Sequence, residues 1–314
     1  MSPAEQDKIV AARSEAQHGD FGLVTLPELT TVDGLISPAE ERYLYWLTSS
    51  MYAEEGAIVE LGSWFGRSAI ALGAGLRDSG RSTPLHCFDR FRWDPAFGSS
   101  ITIADVRLPD GGDFMPYFLA NVGPVYPHVL ATKTTIDELQ WDGGPIEILF
   151  IDAPKTFADL TRTLLVFGPH VAVGRSLVIM QDFFFTPAYP ISLCIAMMGD
   201  SIRLVHTIAG GSTAAFVLER PLPDRVVPDA WKYWAMSDDH VIERWHALIA
   251  KLPEDEKSLL DPALAFYFFD RGKLDEARAH LRRIEFSSFG QKRLEFLRNS
   301  DSWGPRVAQM LEAQ

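Results

Sequence analysis

Residues 58–76 read IVELGSWFGRSAIALGAGL, and how this stretch is read decides the fold. A short apolar run ends in Glu60, glycines follow at 62 and 66, and apolar residues then return at helical spacing. This is a strand handing over to a helix through a glycine turn. Such a turn lets a ligand approach the backbone and meet the amides at a helix N-terminus. In many folds it serves geometry alone. A dinucleotide fingerprint needs G-x-G-x-x-G, and here Gly62 and Gly66 lack the third glycine. A phosphate-binding loop would need lysine where Gly66-Arg67-Ser68 has arginine.

Working outward, strands and helices alternate. Strands are expected at AIVEL, PLHCFDRF, HVLATKT, IEILFIDA and RSLVIMQDFFF, with helical segments between them. That rhythm implies a parallel sheet covered on both faces. The runs ILFI and LVIM are apolar throughout, as central parallel strands are. The segment IRLVHTIAGGSTAAFVLERP then reads as a hairpin around Gly210-Gly211, which closes the sheet with an antiparallel pair. Upstream, Ser37, Pro38 and Glu40 carry the signature of a capped helix start, and residues 2–17 predict an earlier helix. Downstream, PLPDRVVPDAW reads as a linker, followed by helices that include one tetratricopeptide-like hairpin. The expected domains are N-terminal helices at 1–54, a sheet domain at 55–222 and a helical extension at 223–314.

The bulk numbers bound the function. The 314 residues are 47% hydrophobic and 23% charged, enough for a well-filled core. A net charge of −13 argues against a nucleic-acid partner, whose phosphates are bound mainly by lysine and arginine. Cys87 and Cys194 both lie in apolar runs and read as buried small side chains. No run is apolar for the roughly 18 residues that a membrane span needs, so the cytoplasm is the default compartment.

The second strand ends in Asp89, about 20 residues beyond the glycines, where a carboxylate can accept from both hydroxyls of a ribose. A nucleoside-containing cofactor at the carboxyl edge of the sheet accounts for both features. Otherwise Asp89 is a solvated strand end.

With these residues in hand, the chain resembles the class I S-adenosylmethionine-dependent methyltransferases. The resemblance runs from about residue 55 to 220 through VELGSWFGRSAIALG (59–73), FDRF (88–91), ILFIDAPKTF (148–157) and SLVIMQDFFF (176–185), in that order. Within the class, the first turn and the I-D-x-x-K pattern resemble catechol O-methyltransferase-like and macrocin-type small-molecule enzymes. The resemblance implies a Rossmann-like, seven-stranded, mostly parallel sheet whose last strand is antiparallel, here with a C-terminal α-helical extension. It also implies that Glu60, Gly62, Ser63, Gly66 and Ser68 line the methionine end of the cofactor, with Asp89 on the ribose and Thr134 near adenine. Asp152 would belong to both the cofactor and the catalytic set.

Methyl transfer to a hydroxyl needs the nucleophile held in line and its proton removed, by a base, a divalent cation or both. In the catechol-type relatives the Asp-x-x-Lys spacing supplies a magnesium ligand and a lysine base, which here are Asp152 and Lys155. Lysine is electrostatically out of place at a helix start, which favours a role for Lys155. Gln181 and Asp182 stand where those relatives carry acids, so Asp152, Gln181 and Asp182 could hold Mg2+. The neutral Gln181 would weaken that site. The segment 90–116, with Arg90, Arg92, Trp93 and Phe97, is long for a connection and reads as a lid. The aromatic run 182–190 reads either as an acceptor-pocket wall or as packing.

The expected function is O-methylation of a small molecule, a sugar or natural-product intermediate, with a homo-oligomer conceivable through the extension. The rivals are cyclisation or lyase chemistry on the same cofactor, a nicotinamide oxidoreductase, and a non-catalytic interaction protein.

Overall fold

The computed structural model describes residues 21–27, 29, 32, 34–94, 108–221 and 236–311. The helix expected at 2–17 and the linker expected at 221–231 lie mainly or wholly outside them. The described residues fall into two compact units. The first comprises Met1–Pro154, Arg162–Gln181 and Arg203–Leu222; the second comprises Lys155–Thr161, Asp182–Ile202 and Pro223–Gln314.

The first unit is built on a seven-stranded sheet. Its strands are β1 (Ala57–Leu61), β2 (Leu85–Asp89), β3 (Val129–Lys133), β4 (Ile146–Ile151), β5 (Leu177–Met180), β6 (Ile202–Thr207) and β7 (Ala214–Leu218), in the spatial order 3-2-1-4-5-7-6. β1 pairs in parallel with β2 and β4, and β4 with β5, while β7 runs antiparallel to β5. The expected architecture is therefore the one observed. Every residue of β4, β5 and β7 is buried. That is why these strands read as unbroken apolar runs: a strand covered on both faces has no solvent side to alternate with.

Helix α1 (Pro38–Trp46) starts as its sequence predicts. The Ser37 hydroxyl accepts from the Glu40 amide, and the Glu40 carboxylate accepts from the Ser37 amide at 2.6 Å. α1 packs against α2 (Arg67–Asp78), which follows β1, and the core continues through Ile58, Cys87, Phe150 and Ile179. α3 (Met115–Val122) precedes β3 and contributes the fully buried Phe118 and Val122. On the sheet's other side, Phe167 near the end of α4 (Phe157–Phe167) meets Phe88 of β2 with ring centroids 5.7 Å apart. Burying such rings contributes about 1.5–3 kcal/mol each relative to exposure. Both cysteines are buried and unbridged.

The second unit is helical. It contains α5 (Tyr189–Met198), α6 (Asp238–Ile249), α7 (Glu254–Leu260), α8 (Ala263–Asp270), α9 (Leu274–Leu281), α10 (Ser288–Arg298) and α11 (Gly304–Leu311). α8 and α9 pack together across the turn at Arg271-Gly272-Lys273, and α5 packs on α6. Buried Trp245, Leu260, Phe266 and Tyr267 supply the unit's core. No helix among the described residues is long and apolar enough to cross a membrane.

Candidate active site

β1 delivers Glu60 to the end of the sheet, in register with Cys87 of β2. Glu60 is 0% exposed, and neither of its carboxylate oxygens has a partner in hydrogen-bond geometry. Burial pushes its pKa up to about 7; nearby Ser68, Ser63 and Cys87 favour the ionised form, and Asp152 adds repulsion. The buried Ser63 hydroxyl also lacks a partner. A buried carboxylate left this way is costly, and buried polar groups normally have partners. Two acids side by side, with an adjacent hydroxyl, suit a cationic ligand carrying N–H donors.

The glycines between them have geometric reasons. Gly62 adopts φ 94°, and a Cβ there would lie 2.7 Å from the Ala153 backbone nitrogen, where the exits of β1 and β4 converge. Gly66 adopts φ 98° as the residue preceding α2, and a Cβ would lie 2.5 Å from Val122 of α3. L-residues rarely adopt that conformation, so both positions demand glycine before any ligand is considered. Ser68, in the first turn of α2, is buried beneath the same turn.

Asp89 binds two turns together. One carboxylate oxygen accepts from the Trp64 amide at 3.0 Å, and the other accepts from the Phe91 amide at 2.7 Å. Burial raises the Asp89 pKa, and these two amides oppose the rise. Trp64 and Phe91 sit at φ 47° and 45°, a conformation uncommon for bulky residues. Asp182, two residues past the end of β5, has φ 61°. Such backbone concentrates at functional sites, and Trp64 and Phe91 lie just past the carboxyl ends of β1 and β2. Sequence reading missed Trp64 and Phe91; the signal was an aspartate two residues before the second amide, the pattern of an Asx-turn. Thr134 is half-buried at the exit of β3, and its amide donates to the Asp89 carbonyl at 2.9 Å.

The two ends of the expected lid are clasped. The Trp93 amide donates to Gly112 at 2.8 Å, and the Gly111 amide donates back to Trp93 at 3.0 Å. Trp93 also packs on Trp64, with centroids 5.7 Å apart. Phe97 and the rest of 95–107 lie outside the described residues.

At the exit of β4, the Asp152 amide donates to Leu61 at 2.8 Å, which holds Asp152 beside the β1 turn. In the second unit, Lys155 Nζ pairs with Asp182 at 2.7 Å, with side chains 40% and 24% exposed. Gln181 turns elsewhere. Its carboxamide meets the hydroxyls of Thr213 and Ser212. Thr213 in turn donates to Glu40 at 2.5 Å, and the same Glu40 oxygen accepts from the Ser212 amide at 2.9 Å. The single Thr213 proton goes to the carboxylate, so the amide NH2 of Gln181 is best placed toward Thr213. Gln181 is thus committed to a buried network that ties α1 to the β6–β7 hairpin, and that is the physical reason for a neutral residue at this position. Among the described residues, no group of three or more histidine, cysteine, aspartate or glutamate side chains could hold a metal ion. In the aromatic run, Phe183 and Phe184 are buried against each other, 4.9 Å between centroids, while Phe185 is half-buried.

Residues 59–183 match the family described as "Methyltransferase domain". No curated protein is similar enough to match the chain. Among solved structures, CalS11, described as a TDP-rhamnose 3'-O-methyltransferase of calicheamicin biosynthesis, is 15% identical with a TM-score of 0.40, over 69% of this chain and 95% of its own. The 23S rRNA methyltransferase ErmE is 10% identical with a TM-score of 0.35, over 89% of this chain and 97% of its own. CcbJ from Streptomyces caelestis is 12% identical with a TM-score of 0.30, over 65% and 87%. At such TM-scores none of them carries a substrate or a site residue to this chain. The family match defines the class: the chain is an enzyme, a methyltransferase that uses S-adenosylmethionine.

Proposed function

We propose that the protein transfers a methyl group from S-adenosylmethionine to a hydroxyl of a small molecule, a sugar or natural-product intermediate. The observation that carries the cofactor half is Glu60, a fully buried carboxylate without a hydrogen-bond partner at the end of β1. S-adenosylmethionine carries an ammonium and a sulfonium, the charge and donors this position lacks. Glu60, Ser63 and Ser68 would hold its amino-acid end, with Gly62 and Gly66 shaping the turn. Asp89, whose oxygens keep further acceptor capacity beyond two amides, would take the ribose, and Thr134 would lie toward adenine. When bound, the group supplies an electrophilic methyl carbon.

The chain's part is to orient the acceptor and remove its proton. Lys155 and Asp152 are our candidates, on the Asp-x-x-Lys spacing that led to the resemblance with catechol-type and macrocin-type enzymes. The division of the chain at residues 54 and 222 belongs to the same reading. Of the three residues expected to hold Mg2+, Asp152, Gln181 and Asp182, Gln181 is engaged by Thr213.

Calorimetry with S-adenosylmethionine and S-adenosylhomocysteine, with and without magnesium, tests the cofactor site. Incubation with labelled cofactor and a panel of sugars and phenols tests the transfer. Micromolar binding and label in a hydroxyl-bearing acceptor are expected. No binding at millimolar cofactor, or methylthioadenosine formed without any acceptor, would overturn the proposal.

A further inference from the structure

Lys155 and Asp182 both belong to the unit that contains the C-terminal helices, and not to the unit that contains Glu60 and Asp89. Within that unit, Asp182 opens a turn closed by a hydrogen bond from the Phe185 amide to the Asp182 carbonyl at 3.0 Å. Phe185 is fixed from the far end of the chain. Trp303, just before α11, meets it edge-on with centroids 6.1 Å apart, and the Arg293 guanidinium of α10 lies 5.6 Å from its ring centre. Trp303 is itself held by Arg306, 5.5 Å over its ring, which is ion-paired to Asp270. Asp182 is in left-handed backbone, which aspartate adopts more readily than most residues. The Phe185–Trp303 contact links the C-terminal helices to that turn.

We propose that Trp303 is a positioning residue: through Phe185 it holds the Asp182 turn and, with it, the ion pair to Lys155, so that the C-terminal helices serve acceptor handling. The catalytic meaning of that pair rests on the function proposed above; the mechanical coupling does not. Removing the indole lets the turn relax and frees the lysine ammonium to sample solvent, while the cofactor residues of the other unit are untouched.

The test uses the full chain labelled with 15N-lysine. The Lys155 ammonium resonance is identified by its loss in Lys155→Arg. A persistent pair slows proton exchange, so the resonance is expected to be sharp in the wild type and in Trp303→Phe, and lost in Trp303→Ala. S-adenosylhomocysteine affinity of Trp303→Ala should stay within about twofold of wild type, as expected for energetically independent sites. An unchanged Lys155 resonance in folded Trp303→Ala would overturn the proposal. So would its absence from the wild type, or a loss of cofactor affinity in parallel with it. Should Trp303→Ala not fold, Phe185→Leu decides by the same two readings, since it keeps apolar bulk and removes the ring contact. If the wild type does not bind S-adenosylhomocysteine at all, the methyltransferase reading falls, and the lysine resonance still decides the role of Trp303.

Discussion

The Asp89 carboxylate accepts from the Trp64 amide at 3.0 Å, so the acid that ends β2 fastens the turn that leaves β1. Its other oxygen secures Phe91 in the same way. One side chain thereby stabilises two residues in left-handed backbone and shapes the carboxyl edge where the cofactor is proposed to lie.

Asp89→Ala should therefore act on both stability and binding. Two backbone amides lose a charged acceptor, which costs about 2–4 kcal/mol in urea denaturation. S-adenosylhomocysteine affinity should drop about 10- to 100-fold by calorimetry. A variant that loses stability and keeps full affinity would assign Asp89 to the fold alone.

Glu60 makes the pH dependence specific. Its folded pKa is raised above the ordinary carboxylate range to about 7, chiefly by burial. For an acid shifted upward, the stabilising contribution is present below the unfolded pKa and is lost as pH rises through the folded value. The ligand-free protein should lose stability between pH 5 and 8, by a few kcal/mol in total, and Glu60→Gln should flatten that loss. Binding of a cationic cofactor runs the other way, because it favours the ionised form. Affinity should rise about tenfold from pH 6 to 8 in the wild type, and should not rise in Glu60→Gln. Calorimetry across that range decides.

Lys155→Met should leave cofactor affinity within about twofold and reduce methyl transfer by about 100- to 10,000-fold, the usual worth of a positioned acid or base. The label-transfer assay, with whichever panel acceptor turns over, is the measurement. Full turnover in this variant would remove Lys155 from the chemistry.

Gln181→Glu distinguishes a metal ligand from a structural link. A second carboxylate beside buried Glu40 would leave a charge uncompensated, at a cost of about 3–5 kcal/mol. The expected outcome is a lower unfolding midpoint with no gain in magnesium affinity. Tighter magnesium binding with stability intact would restore Gln181 to the cation site.

Local spacing explains why so much of the fold was legible. Ser37, Pro38 and Glu40 make their cap within one turn, so their sequence pattern was sufficient. The apolar runs at 148–151 and 177–180 required burial on both faces and therefore central positions in a parallel sheet. Gly210-Gly211 required a tight return, and β6 and β7 on either side of it are neighbours in the sheet.

The site was legible only in outline, because its partners are distant in sequence. From the residues alone, the alternation of strands and helices, the glycine turn at 62–66 and the acids at the strand ends could be read, since each depends on neighbours a few positions away. Only the tertiary structure decided that Glu40 reaches Ser212 across 172 residues, that Gln181 faces that network, and that Trp64 and Phe91 share one carboxylate. The same holds for Lys155 and Asp182, which share a unit with Trp303. Periodicity encodes which face of an element is buried; it does not encode which distant element will cover that face, and the covering element decides whether a polar side chain there binds a ligand or the protein itself.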